Sequence, residues 1–360
     1  MIRGEVYYLY AFDVADEIKT AQIDQILSES PVLYAVKKTH TLPREFPFYY
    51  PLTIEIKKEN WSYQQKKIHP LIRIYDVGVV SIMVPIPFEM EELAQLKNMH
   101  RPHLDSQDSL DDQVYMLCQK VVESLAPSLI RKVEKIMSPE AYSVFYIKEL
   151  EKLQEIEGWI QEQKINIAAL LAETESEALS KQQIDEIFRH QLSYSPQDSI
   201  IIDWDACLCI DLKQQSEDVI HVLELANLQL EELVLMDQRL DRYLDLAYEE
   251  LEKKRSLWIA TPQKQLSRLR RFRMDVAKIT DEVSNISKFF GDWYLARIYM
   301  ATRERFHLTT WRESIYQRLS QLDELYKILR TETNELRMLF LEVLIVVLFL
   351  ADLILIFMKK

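Results

Sequence analysis

Residues Gly78 to Ile86 read GVVSIMVPI, a nearly continuous apolar run. A strand with one wet face alternates apolar and polar side chains, whereas a run that is apolar at almost every position has both faces covered. This stretch therefore predicts a strand buried on both faces. Working outward, Leu71 to Tyr75 (LIRIY) and Leu52 to Ile56 (LTIEI) alternate, and Glu5 to Phe12 (EVYYLYAF) is rich in strand-forming aromatics. Ser199–Asp203 and Ala206–Asp211 are spaced to pair as a hairpin across Trp204-Asp205. Tyr142 to Leu150 begins as a strand. Helical spacing marks Thr20–Leu27, Phe88–Lys97, Asp111–Leu125, Ile160–Ala172 and Gln182–Leu192. The order predicts an α+β sandwich over residues 1–212, with helices on one face.

From Glu217 the pattern changes. Val219, Leu223, Ala226, Leu230, Leu233, Leu240, Leu244, Ala247 and Leu251 recur mostly at spacings of four and three, with Asp237 the polar member of the seam. Ala260-Thr261-Pro262 breaks the run, since Thr261 can cap a helix and Pro262 can occupy its first turn. Phe272, Val276, Ile279, Val283, Ile286, Phe290 and Trp293 continue the spacing, and Thr310 with Glu313 forms a capping box before a third seam from Ile315 to Phe340. A seam this long predicts a coiled-coil or bundle stalk over 215–337, with its first two helices folded back on each other.

The third seam runs into VLIVVLFLADLILIF, Val343 to Phe357. Met338 to Met358 spans roughly 31 Å as a helix, about the hydrocarbon thickness of a bilayer. Its aliphatic and Phe side chains favour insertion by about 5 to 9 kcal/mol, against a cost of about 2.5 to 3.5 for Asp352. On this count 338–358 is a single transmembrane helix with Lys359 and Lys360 in the headgroup region. The expected architecture is thus an α+β domain, a long helical hairpin stalk and one C-terminal membrane anchor, with the bulk of the chain cytoplasmic and membrane lipid as a partner.

Composition narrows the function. The formal charge is −13 and the pI about 5.2, which argues against a broad nucleic-acid surface. The four glycines, Gly4, Gly78, Gly158 and Gly291, are scattered, so no phosphate-cradling loop can form. Three cysteines, Cys118, Cys207 and Cys209, do not build a disulfide framework. The N-terminal MIRGEVYYLYAFDV has neither a signal-peptide core nor a transit-peptide pattern.

Several groups invite a chemical reading. His100, His103 and Asp105 in HRPHLD carry metal-ligating atoms, but Pro102 keeps the histidines off a shared helix face, and a polar surface loop is the simpler account. Cys207 and Cys209 share one face of a strand without a second pair to complete a metal site. Asp203 and Asp205, around Trp204, could be paired carboxylates of the kind glycosidase chemistry needs across a cleft, but capping acids of a turn are the simpler account. No cofactor and no catalytic residue follow from these groups. Asp352, an acid within an apolar helix, and Glu342 nearby suggest contacts between copies of the chain in an oligomer. Arg268, Arg270, Arg271 and Arg273 form the one strong basic run, a patch suited to an anionic partner or to acids of a neighbouring helix.

The layout resembles the family named for "required for meiotic nuclear division", also known as domain of unknown function 155. The likeness rests on Gly78-Val79-Val80, on Phe289-Phe290 with Trp293, and on Leu341-Glu342 followed by the apolar run. Ser81-Ile82-Met83 and Val343 stand where that family usually carries tryptophan. The resemblance implies a bacterial relative of proteins that work at membranes, some of them organising protein synthesis at the mitochondrial inner membrane, with no catalytic residues. The expected function is that of a membrane-anchored scaffold or tether, a homo-oligomer with an unknown protein partner. The alternative is an oligomeric ion-conducting assembly. It would resemble divalent-cation channels of the CorA type, which use two spans and a Gly-Met-Asn signature that this sequence lacks.

Overall fold

The computed structural model describes residues 1–19, 23, 52–56, 59–133, 135–151, 155–213, 217–252, 273–274 and 293–358. The strands are β1 (Ile2–Asp13), β2 (Ala15–Ile18), β3 (Leu52–Glu55), β4 (Trp61–Tyr63), β5 (Lys66–Ile68), β6 (Leu71–Ile74), β7 (Val79–Met90), β8 (Leu129–Lys132), β9 (Glu140–Leu150), β10 (Gln191–Leu192), β11 (Asp198–Ile202) and β12 (Ala206–Asp211). The helices are α1 (Leu110–Ser124), α2 (Ile156–Glu162), α3 (Lys164–Leu171), α4 (Lys181–Ile187), α5 (Glu217–Glu252), α6 (Trp293–Arg305) and α7 (Leu308–Met358). Internal contacts divide the chain into two units. One is Met1–Leu233 with Ser284–Thr309, and the other is Val234–Val283 with Thr310–Lys360.

The first unit is organised by an eight-stranded sheet in the order β10-β11-β12-β9-β1-β7-β6-β3. All neighbours run antiparallel except β12 and β9, which pair in parallel from Ala206↔Ser143 to Ile210↔Ile147. The apolar run that opened the sequence analysis is β7, held between β1 and β6. It continues past the expected end at Ile86 to Met90, through Pro85 and Pro87. Pairing with β6 stops at Met83, so the prolines fall where β7 has lost its neighbour on that side. A residue without an N–H is tolerated there. The expected helix Phe88–Lys97 is therefore corrected. Only a 3-10 helix, Leu93–Met99, forms, started by a capping box between Glu92 and Gln95.

The two faces of the sheet differ in chemistry. Val6, Tyr8, Tyr10, Phe12, Ile82, Val84, Ile86, Phe145 and Leu208 join one large apolar core with α1 and α3. α1 presents Leu110, Val114, Leu117, Val121 and Val122 to that core. Asp111 and Asp112 lie in its first turn, where acids suit the helix dipole. The opposite face is covered by the first half of α5, with Leu225 and Leu228 against Ala11, Tyr75 and Val79. Helices therefore cover both faces, and the expectation of a one-sided layer is corrected. Gly78 makes the turn between β6 and β7. Its φ is +95°, and a Cβ there would lie 1.8 Å from the carbonyl oxygen of Ala15.

The second unit is helical in its described residues. Leu240, Leu244 and Ala247 of α5 are buried, as are Ile315, Leu319, Leu322 and Tyr326 of α7. Asp237, the polar member of the seam, binds the Arg318 guanidinium, which also reaches Asp241. The expected second stalk helix lies outside the described residues apart from Arg273, Met274 and its last seam residue, Trp293, which opens α6, and most of Thr20–Leu27 lies outside them too.

The membrane anchor is corrected. Among the described residues no helix is long and apolar enough to cross a membrane. The tail expected to span, 338–358, is the end of the 51-residue α7. Glu342 and Asp352 cut its apolar run, leaving nine charge-free residues from Val343 to Ala351, about 13 Å of helix. The expected location at the membrane through a C-terminal tail, and membrane lipid as the partner of that tail, lose their basis with it. Large apolar side chains from Met338 to Leu355 are exposed.

Candidate functional site

The groups nominated by the sequence fall into separate structural settings. The carboxylate of Asp105 accepts the backbone N–H groups of Gln64 (2.8 Å) and Gln65 (2.9 Å). These two residues form the β4–β5 turn, both at positive φ. The hydrogen bonds hold Asp105 below the usual carboxylate range. His103 is exposed. His100 is drawn elsewhere. Its Nε2 lies 2.7 Å from the carbonyl oxygen of Leu170 and therefore carries the proton. Its ring packs edge-on against Phe145, and its Nδ1 approaches Glu173 Oε1 at 3.0 Å, without the alignment of a good hydrogen bond. Burial lowers the imidazole's affinity for a proton and outweighs the Glu173 carboxylate, which raises it. The three HRPHLD side chains do not converge.

Cys207 and Cys209 are fully buried on β12, and burial raises the Cys207 thiol. Asp203 and Asp205 divide their tasks. Asp203 accepts the Trp204 backbone N–H (2.9 Å) and receives the Arg305 guanidinium through two nitrogens, fastening α6 to the β11–β12 turn. Asp205 is raised by burial first and then by Glu173 and Asp203. An imidazole and carboxylates in electrostatic reach of one another are the groups that proton transfer uses. Here His100 is occupied at Nε2, and Asp203 is occupied by Arg305. Among the described residues no cluster of three or more His, Cys, Asp or Glu is placed to hold a metal ion. A cleft of about 340 Å³ lies elsewhere, between Met1, Glu92, Leu93, Trp159, Gln163 and Asn166.

Of the remaining nominated residues, Arg273 pairs with Asp323 at 3.0 Å within the second unit. Arg268, Arg270 and Arg271 lie outside the described residues. Glu342 is exposed on α7, and of Asp352 only the helical backbone is described.

The densest chemistry lies between the sheet and α5, on residues that the sequence analysis did not single out. Glu224, 1% exposed, takes the guanidinium of Arg73, 2% exposed, and the Oγ–H of Ser81 at 2.6 Å. His221 Nδ1 stands 3.5 Å from the same carboxylate. Arg73 already neutralises that carboxylate, so burial and the guanidinium prevail and lower the imidazole to about 3. One turn on, α5 grips β9. Asn227 Nδ2 donates to the Glu140 carbonyl (3.0 Å), and the Glu140 N–H donates to Glu231 (3.2 Å). An amide and a carboxyl four residues apart on a helix thus serve both backbone groups of one strand residue, as a neighbouring strand would. Burial, reinforced by Glu140, pushes the Glu231 carboxyl up to about 8. The signal was present as His221, Glu224, Asn227 and Glu231 at helical spacing.

A mixed sheet with one apolar face, and a second face closed by a long helix over buried ionic groups, defines an α+β domain. Residues 3–217 match the family described as "Uncharacterized protein MJ0711, N-terminal domain", and the chain belongs to that family. The uncharacterized protein MJ0711 of Methanocaldococcus jannaschii is 24% identical over 240 residues, covering 64% of this chain and 70% of that protein. No solved structure matches. The expected membership of the "required for meiotic nuclear division" family is corrected by this match. The motifs that suggested it are short. Gly78 is explained by the turn between β6 and β7, and Phe289 and Phe290 lie outside the described residues.

Proposed function

We propose that this protein works by binding, as a scaffold for a protein partner, and not by catalysing a reaction. The observation that carries this reading is the buried Arg73–Glu224–Ser81 group. A buried ion pair adds little net stability compared with apolar packing, and its best-attested use is to fix register. Here it fixes one register of α5 on the sheet, and α5 continues to Glu252 in the second unit. A scaffold needs such a fixed relation between strand and helix within the domain that holds it. The residues with catalytic potential support the same reading, since Asp105, His100 and Asp203 all hold backbone or neighbouring side chains in place.

The test is depletion profiling with purified full-length protein against small-molecule extracts of its own cells. Glu173→Gln and Asp205→Asn serve as matched variants. No turnover that depends on these groups is expected, together with elution from native extract in an assembly of defined composition. Catalytic turnover abolished by either variant would overturn the proposal.

A further inference from the structure

Helix α6 carries an exposed stripe that is complementary to itself. Trp293, Arg297, Met300 and Glu304 are exposed at spacings of four, three and four, and exposed His307 follows three residues later. Such a spacing keeps the first four side chains on one side of α6, while His307 lies in the turn just beyond the helix end, at a φ of 52°. Trp293 is 69% and Met300 49% exposed. The Arg297 guanidinium lies over the Trp293 ring, 4.8 Å from its centroid. At the other end His307 stacks on Trp204, 5.3 Å between centroids, and Trp204 is itself 41% exposed. Tryptophan, methionine and arginine are the residues enriched where proteins meet. They stand here on a helix pinned from behind by the Arg305 clamp on Asp203.

The arrangement of charge says what fits. Arg297 lies three residues before Met300 and Glu304 four after it, while Trp293 and His307 lie seven before and seven after. Two copies of α6 meeting antiparallel at Met300 set Arg297 of each against Glu304 of the other. Each Trp293 then faces the Trp204–His307 pair of the opposite copy. That is an isologous two-fold contact, in which every pairing occurs twice.

We propose that this stripe is the interface of a two-fold homodimer, with a second copy of this chain as its occupant. The two charge pairs supply register and orientation, and Met300 with the aromatic groups supplies the desolvated centre. The inference is independent of the scaffold reading, which concerns the sheet and α5, so either can fail alone.

Sedimentation of the full chain over a concentration series tests it, with Arg297→Glu, Glu304→Arg and the combined swap. Either single change sets like charges together in both symmetric pairs and is expected to weaken dimerisation at least ~10-fold, while the double swap returns it to within ~3-fold. A chain that stays monomeric throughout would leave the stripe to a different protein and overturn the inference. Unchanged single variants, or a double swap that fails to recover, would do the same. Should a charge variant fail to fold, Met300→Cys replaces it, because the native cysteines are buried. A short bis-maleimide should then join two copies at position 300, and absence of that product rejects the two-fold contact.

Discussion

Arg73 and Glu224 lie 151 positions apart in the chain and meet in a layer closed to water, one on β6 and the other on α5. Removing one partner strands a charge. Glu224→Ala or Arg73→Ala should cost about 3–5 kcal/mol each in urea unfolding, whereas Arg73→Met combined with Glu224→Leu should cost far less than the sum. Additive losses would show that the two groups are not coupled.

Glu231 sets a pH dependence of unusual sign for a carboxyl. Its folded value, about 8, lies above the ordinary 4.5, so the native state keeps a proton that the unfolded chain has released between these values. Stability from this group is fully present below about pH 4.5 and is lost as pH rises toward 8. Glu231→Gln retains an oxygen to accept the Glu140 N–H and should remove that decline. The Gln variant is expected to match the native chain near pH 4.5 and exceed it at pH 8, read by thermal unfolding at each pH.

His221 acts in the opposite direction. Its folded value, about 3, lies below the ordinary 6.5, so on acidification the unfolded state takes up the proton first. Stability should fall as pH drops from 6.5 toward 3. His221→Gln, which does not titrate, should flatten that limb and leave the alkaline limb unchanged. A His221→Gln curve parallel to the native one across this window would contradict the assignment.

Gly78 tolerates no side chain. Gly78→Ala places a methyl group against the carbonyl of Ala15 at a backbone angle that L-residues rarely adopt. It should destabilise by at least about 1–3 kcal/mol. Gly158 is the internal control, because a Cβ there meets nothing within 4 Å. Gly158→Ala lies within α2 and should be neutral or stabilising by about 0.5–1 kcal/mol. Equal effects at the two positions would refute the account.

Much of the sheet was legible. β1, β3, β6, β7 and the β11–β12 hairpin follow from alternation, apolar runs and the Trp204-Asp205 turn, because a two-residue period survives wherever one face packs. The end of β7 was not legible. The spacing from Phe88 to Lys97, with Glu89, Glu91 and Glu92 at its start, suggested a helix, and only the register with β6 shows why the strand passes Pro85 and Pro87. The polar layer was hidden for a different reason. Periodicity separates apolar from polar positions, and a glutamate that ends up against a buried arginine looks the same as one in water. The seam from Val219 to Leu233 was found, while the side of α5 carrying Glu224, Asn227 and Glu231 against the sheet was not. The C-terminal stretch misled through hydropathy summed across two carboxylates.

The position of β1 carries a consequence for biosynthesis. It is an interior strand flanked by β7 and β9, whose paired residues begin at Val79 and Glu140. On the ribosome β1 emerges before either neighbour, so its tyrosines and aliphatic side chains wait without a ladder until β7 is made and without a second one until β9 follows. The parallel β9–β12 pair forms later still, because Ala206 must be made first. The nascent chain thus passes through a period of sticky, incomplete structure, during which a chaperone that shields extended apolar segments would matter most.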